Sequence, residues 1–164
     1  MATYVLIHGA ASDSWYWHLV VPELRARGHD VVAPDLPSDD DSAGERARRE
    51  QAARDGRSIG RDVDPMDEFF HDVPPGVVAE AYARGERGQS GTPMDKPWPL
   101  AAWPDVPTRF LLCRNDRFFP AGFLRRVVRE RLGITPDEME SGHLPALAHP
   151  RELVERLEAY RAAR

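Results

Sequence analysis

Thr3-Tyr4-Val5-Leu6-Ile7 runs directly into His8-Gly9-Ala10, and Gly28-His29-Asp30-Val31-Val32-Ala33-Pro34-Asp35 follows one helix-length later. The first run is short, β-branched and aromatic, and it stops at a glycine, as a buried strand entering a turn does. Asp13 is placed to cap a helix starting near Ser14, with Trp15, Leu19 and Leu24 as its apolar positions. Pro22 kinks or divides that helix, and Gly28 ends it just after Arg25 and Arg27, where cations suit the carbonyl end. His29 to Asp35 then reads as a second strand. Strand, helix and strand in this length make a right-handed βαβ unit, so an α/β fold with a mostly parallel sheet flanked by helices is expected.

Downstream the pattern breaks and then returns. Of the 24 residues from Asp39 to Asp62, 13 are charged, so a helix over 43–54 would lack an apolar stripe. Met66, Phe69, Phe70, Val77, Val78 and Tyr82 suggest two short helices separated by Pro74-Pro75 and ending near Gly85. Five prolines between Gly88 and Pro107 mark an irregular connection. Thr108 to Cys113 is a strong strand, Pro120 opens a helix reaching Leu132, and a weak strand spans Ile134 to Met139. Pro150 opens a last helix with Leu153, Leu157 and Tyr160 on one face. The organisation expected is one domain over 1–164, with residues 40–104 as a cap-like and connecting segment.

Composition narrows the function classes. The 164 residues carry a net charge of −5, without the basic block that phosphate contacts require, which argues against nucleic acid. No apolar run approaches the about 20 residues of a membrane span, and no leader fits before the first strand. The single cysteine, Cys113, rules out an intrachain disulfide and makes a cytoplasmic setting the expectation. Within Phe110-Leu111-Leu112-Cys113 it reads as an inert buried thiol. The six histidines form no metal-ligand spacing, and there is no dinucleotide or Walker fingerprint, so no metal and no cofactor is expected.

Asp116 ends the Thr108 strand and His143 follows the next element. In a parallel sheet the carboxyl ends of strands share a crevice, so an acid could there orient a histidine. The bland alternative, that Asp116 caps a turn and His143 packs, is equally open on position alone. Gly9 and Ala10 could turn backbone N–H groups toward an oxyanion, or form a simple strand-to-loop turn. Ser12 and Trp15 are candidate pocket residues. Gly56-Arg57-Ser58-Ile59-Gly60 matches the G-x-S-x-G string, but polar, helical sequence precedes Ser58 where an elbow needs a buried strand. No serine therefore reads as a convincing nucleophile.

The block from His8-Gly9-Ala10 through Trp15, Trp17, Pro22 and Gly28 to Asp35-Leu36 resembles the α/β-hydrolase superfamily. More narrowly it resembles the plant-type methylesterases and hydroxynitrile lyases with their bacterial relatives. Leu111 to Phe119 is similar to the strand and loop that deliver the family acid, mapping it to Asp116. Ser141-Gly142-His143-Leu144-Pro145 is similar to the loop delivering the catalytic histidine, mapping it to His143. The resemblance implies ester hydrolysis of a small acyl or ester ligand, with the oxyanion at Ala10 and a pocket hydroxyl at Ser12. It also implies a departure: after Asp35-Leu36-Pro37 the family's strand, serine elbow and helix are read as deleted. The resulting expectation is a truncated hydrolase fold with weak or absent serine-esterase activity, the alternative being a catalytically silent binding or assembly module, a possible pseudoenzyme. Edges exposed by such a deletion would either pair with each other or make a homodimer through a sheet edge or swapped elements.

Overall fold

A computed structural model describes residues 1–36, 64–85, 87, 97, 99–102 and 104–163. β1 (Thr3–Val5) and β2 (Asp30–Val32) pair in parallel, with Tyr4 opposite Val31. Between them the helical stretch is divided, as Pro22 leads one to expect. A 3-10 turn over Ser14–Trp17 is capped by the Asp13 carboxylate, which accepts the Trp15 N–H at 2.9 Å. α1 (Val20–Ala26) follows, with Pro22 in its first turn, where a missing N–H costs nothing. Gly28 has φ +82°, the left-handed turn that lets the chain reverse into β2.

A second βαβ unit repeats the scheme. β3 (Leu111–Cys113) and β4 (Asp137–Met139) are parallel, with Leu112 opposite Glu138. Before this unit come α2 (Pro65–Glu68), capped by Asp64, and α3 (Pro75–Arg84), ended by Gly85. The connection between β3 and β4 is α4 (Ala121–Leu132), which begins after Pro120 and ends on left-handed Gly133. α5 (Pro145–Ala148) and α6 (Pro150–Ala162) close the chain.

The fold is thus α/β with helix-flanked parallel strands, as expected, but its strands form two small sheets. Direct pairing of β1 with the Thr108 strand does not occur: β1 is laddered to β2 and β3 to β4, and no ladder joins the two sheets among the described residues. Helices join them instead. Val20 and Leu24 of α1, four residues apart and both fully buried, meet Leu6 and Val31 on one side and Leu153 and Val154 of α6 on the other. Each such side chain contributes roughly 1.5–3 kcal/mol by leaving water. A smaller cluster of Val73, Val78 and Leu147, with Trp15 and Phe70 against it, fixes α3 over α5. The polar helix expected over 43–54 lies outside the described residues.

Candidate active site

β4 ends at the buried Met139, and the chain turns through Glu140 to Leu144 before entering α5. Two hydrogen bonds hold this turn against β3: Asn115 N–H donates to Ser141 O at 3.0 Å, and Arg114 N–H donates to Met139 O at 2.9 Å. The turn presents Ser141, Gly142 and His143 to two different carboxylates.

The first is Asp72, from the link between α2 and α3. Its Oδ2 accepts the Gly142 N–H and lies 3.5 Å from Ser141 Oγ. His149 Nε2, at the junction of α5 and α6, is 3.5 Å from the same oxygen. Serine, carboxylate and histidine therefore form one connected cluster, with Asp72 as its hub. Ser141 is fully buried. A Cβ at Gly142 would lie 2.5 Å from Asp72 Oδ1 and 2.7 Å from His71 Nε2, so close approach of Asp72 depends on a glycine here.

The second carboxylate is Asp116, in the turn after β3. Oδ2 is 3.0 Å from His143 Nδ1, while Oδ1 accepts the N–H groups of Phe118 (2.8 Å) and Phe119 (2.9 Å). Burial acts to raise this carboxyl. The His143 bond, the two backbone donors and the histidine's charge outweigh it, and the group titrates below its ordinary value. An ionised Asp116 that accepts Nδ1–H leaves Nε2 of His143 free to take a proton. Phe69, Phe118 and Phe119 surround the imidazole, with ring centroids at 4.9, 5.5 and 5.7 Å.

The two residues mapped from sequence, Asp116 and His143, are thus brought together, and Asp116 caps its turn as well. Of the other sequence candidates, Gly9, Ser12 and Trp15 have hydrogen-bond partners of their own. His8 is a buried staple whose Nε2 accepts the Leu36 N–H at 2.9 Å, leaving Nδ1–H to donate to Gly9 O. Gly9 and Ala10 are exposed, and Ser12 Oγ donates to Asp13 O at 3.5 Å. Trp15 Nε1 donates to Glu80 at 3.1 Å, and the Arg84 guanidinium lies over its ring. None of these contacts reaches Asp116 or His143. Ser58 lies outside the described residues. Cys113 is a buried free thiol, raised to about 11 by burial and by the charges of Asp116 and Asp72, in keeping with an inert role.

Residues 40–156 match the alpha/beta hydrolase family. The chain belongs to that family. Among solved structures, polyneuridine aldehyde esterase superposes with a TM-score of 0.72 at 15% identity, covering 98% of this chain and 99% of that one. A methylesterase from Arabidopsis gives 0.70 at 13% identity, with 100% of each chain covered. A pyrethroid hydrolase from Sphingobium faniae JZ-2 gives 0.67 at 18%, covering 99% and 97%. These likenesses concern the fold. In sequence, Methylesterase 3 of Arabidopsis thaliana is 53% identical over 32 residues, which is 20% of this chain and 12% of that protein.

The expected deletion of the nucleophile region is overturned. β4, the Glu140–Leu144 turn and α5 are a strand, a turn and a helix, and the turn carries a serine linked to an acid and a histidine. The family match also runs through the stretch after Pro37. With the serine in place, the absence of a convincing nucleophile no longer stands. Neither do weak or absent esterase activity, the silent module and the pseudoenzyme that were inferred from that absence. Sequence reading missed Ser141 because Ser141-Gly142 does not match G-x-S-x-G and because Ser141-Gly142-His143-Leu144-Pro145 reads as the loop delivering the histidine. The usable signal was a small-residue pair between a strand and a proline-initiated helix. Nothing local marks Asp72 or His149.

Proposed function

We propose that this chain is a carboxylic-ester hydrolase acting on a small acyl or ester substrate, with Ser141 as nucleophile. The observation that carries the reading is the Asp72 hub, which joins the Ser141 hydroxyl and His149 through one carboxylate oxygen. Ser141 Oγ attacks the ester carbonyl carbon as its proton passes to the Asp72–His149 pair. The tetrahedral adduct collapses by breaking the ester C–O bond, and the leaving alkoxide takes that proton. Water then repeats the sequence on the acyl-serine and regenerates the hydroxyl. Because Ser141 is fully buried, substrate entry requires a local opening that leaves Asp72 in place beside the serine.

A second reading is favoured by the 3.0 Å bond between Asp116 and His143. Here His143 Nε2 is the general base that draws a proton from the attacking water. Backbone N–H groups near Gly9 and Ala10 receive the oxyanion, with Ser12 and Trp15 as pocket residues. Hydrolysis of a short neutral ester by the wild type, Ser141→Ala and His143→Ala, with mass spectrometry for an acyl-enzyme, separates the two. Loss of both turnover and the acyl adduct in Ser141→Ala supports the serine. Loss only in His143→Ala supports activated water. Equal rates in all three overturn both.

The sheets support a homodimer as the proposed assembly, since Val5, Ile7 and Val32 on β1, the turn after it and β2 are 61, 50 and 52% exposed. Light scattering that reports a monomer at all concentrations would remove it. No helix among the described residues is long and apolar enough to cross a membrane. The buried free thiol of Cys113 supports a cytoplasmic setting. A single domain with a cap-like segment over 40–104 is kept as a proposal, and residues 40–63 and 88–96 of that segment lie outside the described residues.

A further inference from the structure

The aromatic wall beside His143 does not stop at the histidine. Phe118 meets Phe119 at 4.6 Å, and Phe119 stacks on Phe123 at 6.4 Å with the rings 18° from parallel. The Arg126 guanidinium lies over Phe123, 5.7 Å from its centroid. Phe119 and Phe123 are 39 and 43% exposed, so this apolar track faces solvent on its way outward along α4. Beyond Phe123 the exposed face of α4 carries Arg125, Arg126, Arg129 and Glu130 side by side. Arg125 is taken up in a two-pronged bond by Glu138 at 2.7 and 2.8 Å. Arg126 and Arg129 make no ion pair among the described residues, leaving two cations against Glu130. On a chain of net charge −5, that local excess of positive charge is a place where an anion is attracted rather than repelled.

We propose that Phe119, Phe123 and Arg126 are the specificity track for the aryl part of the ester, and that they select an aryl group bearing an anionic substituent at its far end. The proposal rests on the reading above that the reactive centre lies at the Ser141–His143 turn. The rings offer stacking area at one end and the guanidinium supplies charge and a stacking plane at the other, a combination suited to a flat anion. The same track would disfavour an aryl group with a cationic far end.

The test compares phenyl acetate, 4-sulfonatophenyl acetate and 4-(trimethylammonio)phenyl acetate as substrates, with calorimetric binding of 4-hydroxybenzenesulfonate as a readout independent of turnover. Arg126→Glu is expected to lower kcat/KM for the sulfonated ester relative to phenyl acetate by roughly tenfold or more, mainly through KM. It should improve the cationic ester in the same comparison, and Arg126→Lys should recover part of the sulfonate preference. Phe123→Ala should weaken both the neutral and the sulfonated ester. Arg151→Glu, on exposed α6 beside Glu23, is the control that leaves the preference as in the wild type. Equal losses on all three esters in Arg126→Glu, or unchanged binding of 4-hydroxybenzenesulfonate, overturn the proposal. So does a change of oligomeric state in that variant, which would assign the face to a second copy of the chain. If the wild type hydrolyses none of the esters, the ester-hydrolase reading fails, and the calorimetry decides the track alone.

Discussion

Replacing Asp72 with asparagine keeps the shape of the hub and removes its charge. Three groups meet at Oδ2: Gly142 N–H, Ser141 Oγ and His149 Nε2, the last two each at 3.5 Å. The amide oxygen of asparagine can still accept the Gly142 N–H, so the turn should keep its place and stability should change by no more than about 1 kcal/mol. The charge cannot be replaced. At 3.5 Å a carboxylate attracts an imidazolium by about 1 kcal/mol in bulk water and about 5 kcal/mol at an effective dielectric near 20. His149 is 39% and Asp72 20% exposed, so water screens the pair and places the value nearer the lower bound, about 2 kcal/mol. If the proton of Ser141 moves onto this pair in the transition state, that energy is lost from the barrier and kcat falls about 30-fold. The assay is steady-state hydrolysis of a short neutral ester near pH 7.5, with thermal unfolding measured on the same samples. A double-mutant cycle with His149→Ala should show that the two losses are not additive. Asp72→Asn within twofold of the wild type, at unchanged thermal stability, would refute the mechanism.

Asp116→Asn presents an amide N–H to His143 Nδ1 and forces the other tautomer. If His143 is the base, kcat should fall by about 10²- to 10⁴-fold, and a wild-type rate would limit this pair to a structural role. Gly142→Ala places a methyl 2.5 Å from Asp72 Oδ1 and should cost about 1–3 kcal/mol in urea unfolding; an unchanged midpoint would show that the α2–α3 link does not press on the turn. Leu24→Ala, at a fully buried position between β2 and α6, should cost about 2–5 kcal/mol in the same assay, and a loss below 1 kcal/mol would contradict that packing. Glu158 is held near a pKa of about 2, first by its hydrogen bond with Arg161 and then by Tyr4, with His29 also contributing against the effect of burial. Its folded value lies below the ordinary 4.5, so its contribution is present above pH 4.5 and is lost as the pH falls toward 2. Stability measured across that window should decline, and Glu158→Gln should flatten the decline; parallel curves would exclude this clasp.

Local sequence determined much of the frame. Thr3–Val5, α1, Gly28 and β2 follow from a strand-like run, an apolar i, i+4 pair and a glycine, each read within a few residues. Pro120 and Gly133 bracket α4 in the same way, and Pro150 starts α6. Asp116 and His143 were legible because each lies just beyond a strand, and the carboxyl ends of parallel strands converge. Position did not choose between capping and catalysis for Asp116, and the structure has it cap its turn while holding His143.

Tertiary structure decided the rest. The ladders stop after three residues, and the two sheets share one core, in which Val20, Leu24, Leu153 and Val154 pack with Leu6 and Val31 of the first sheet's strands and Leu111 of β3. The weak strand read over Ile134 to Met139 is narrowed to β4, with Met139 buried and Asp137 and Glu138 only half-buried. Ser141 meets Asp72 and His149 only because the link between α2 and α3 folds over the β4 turn, a contact across about seventy residues of chain. Periodicity records which face of an element is buried. It does not record which distant carboxylate will arrive beside a serine, and that arrival is what makes Ser141 a candidate nucleophile.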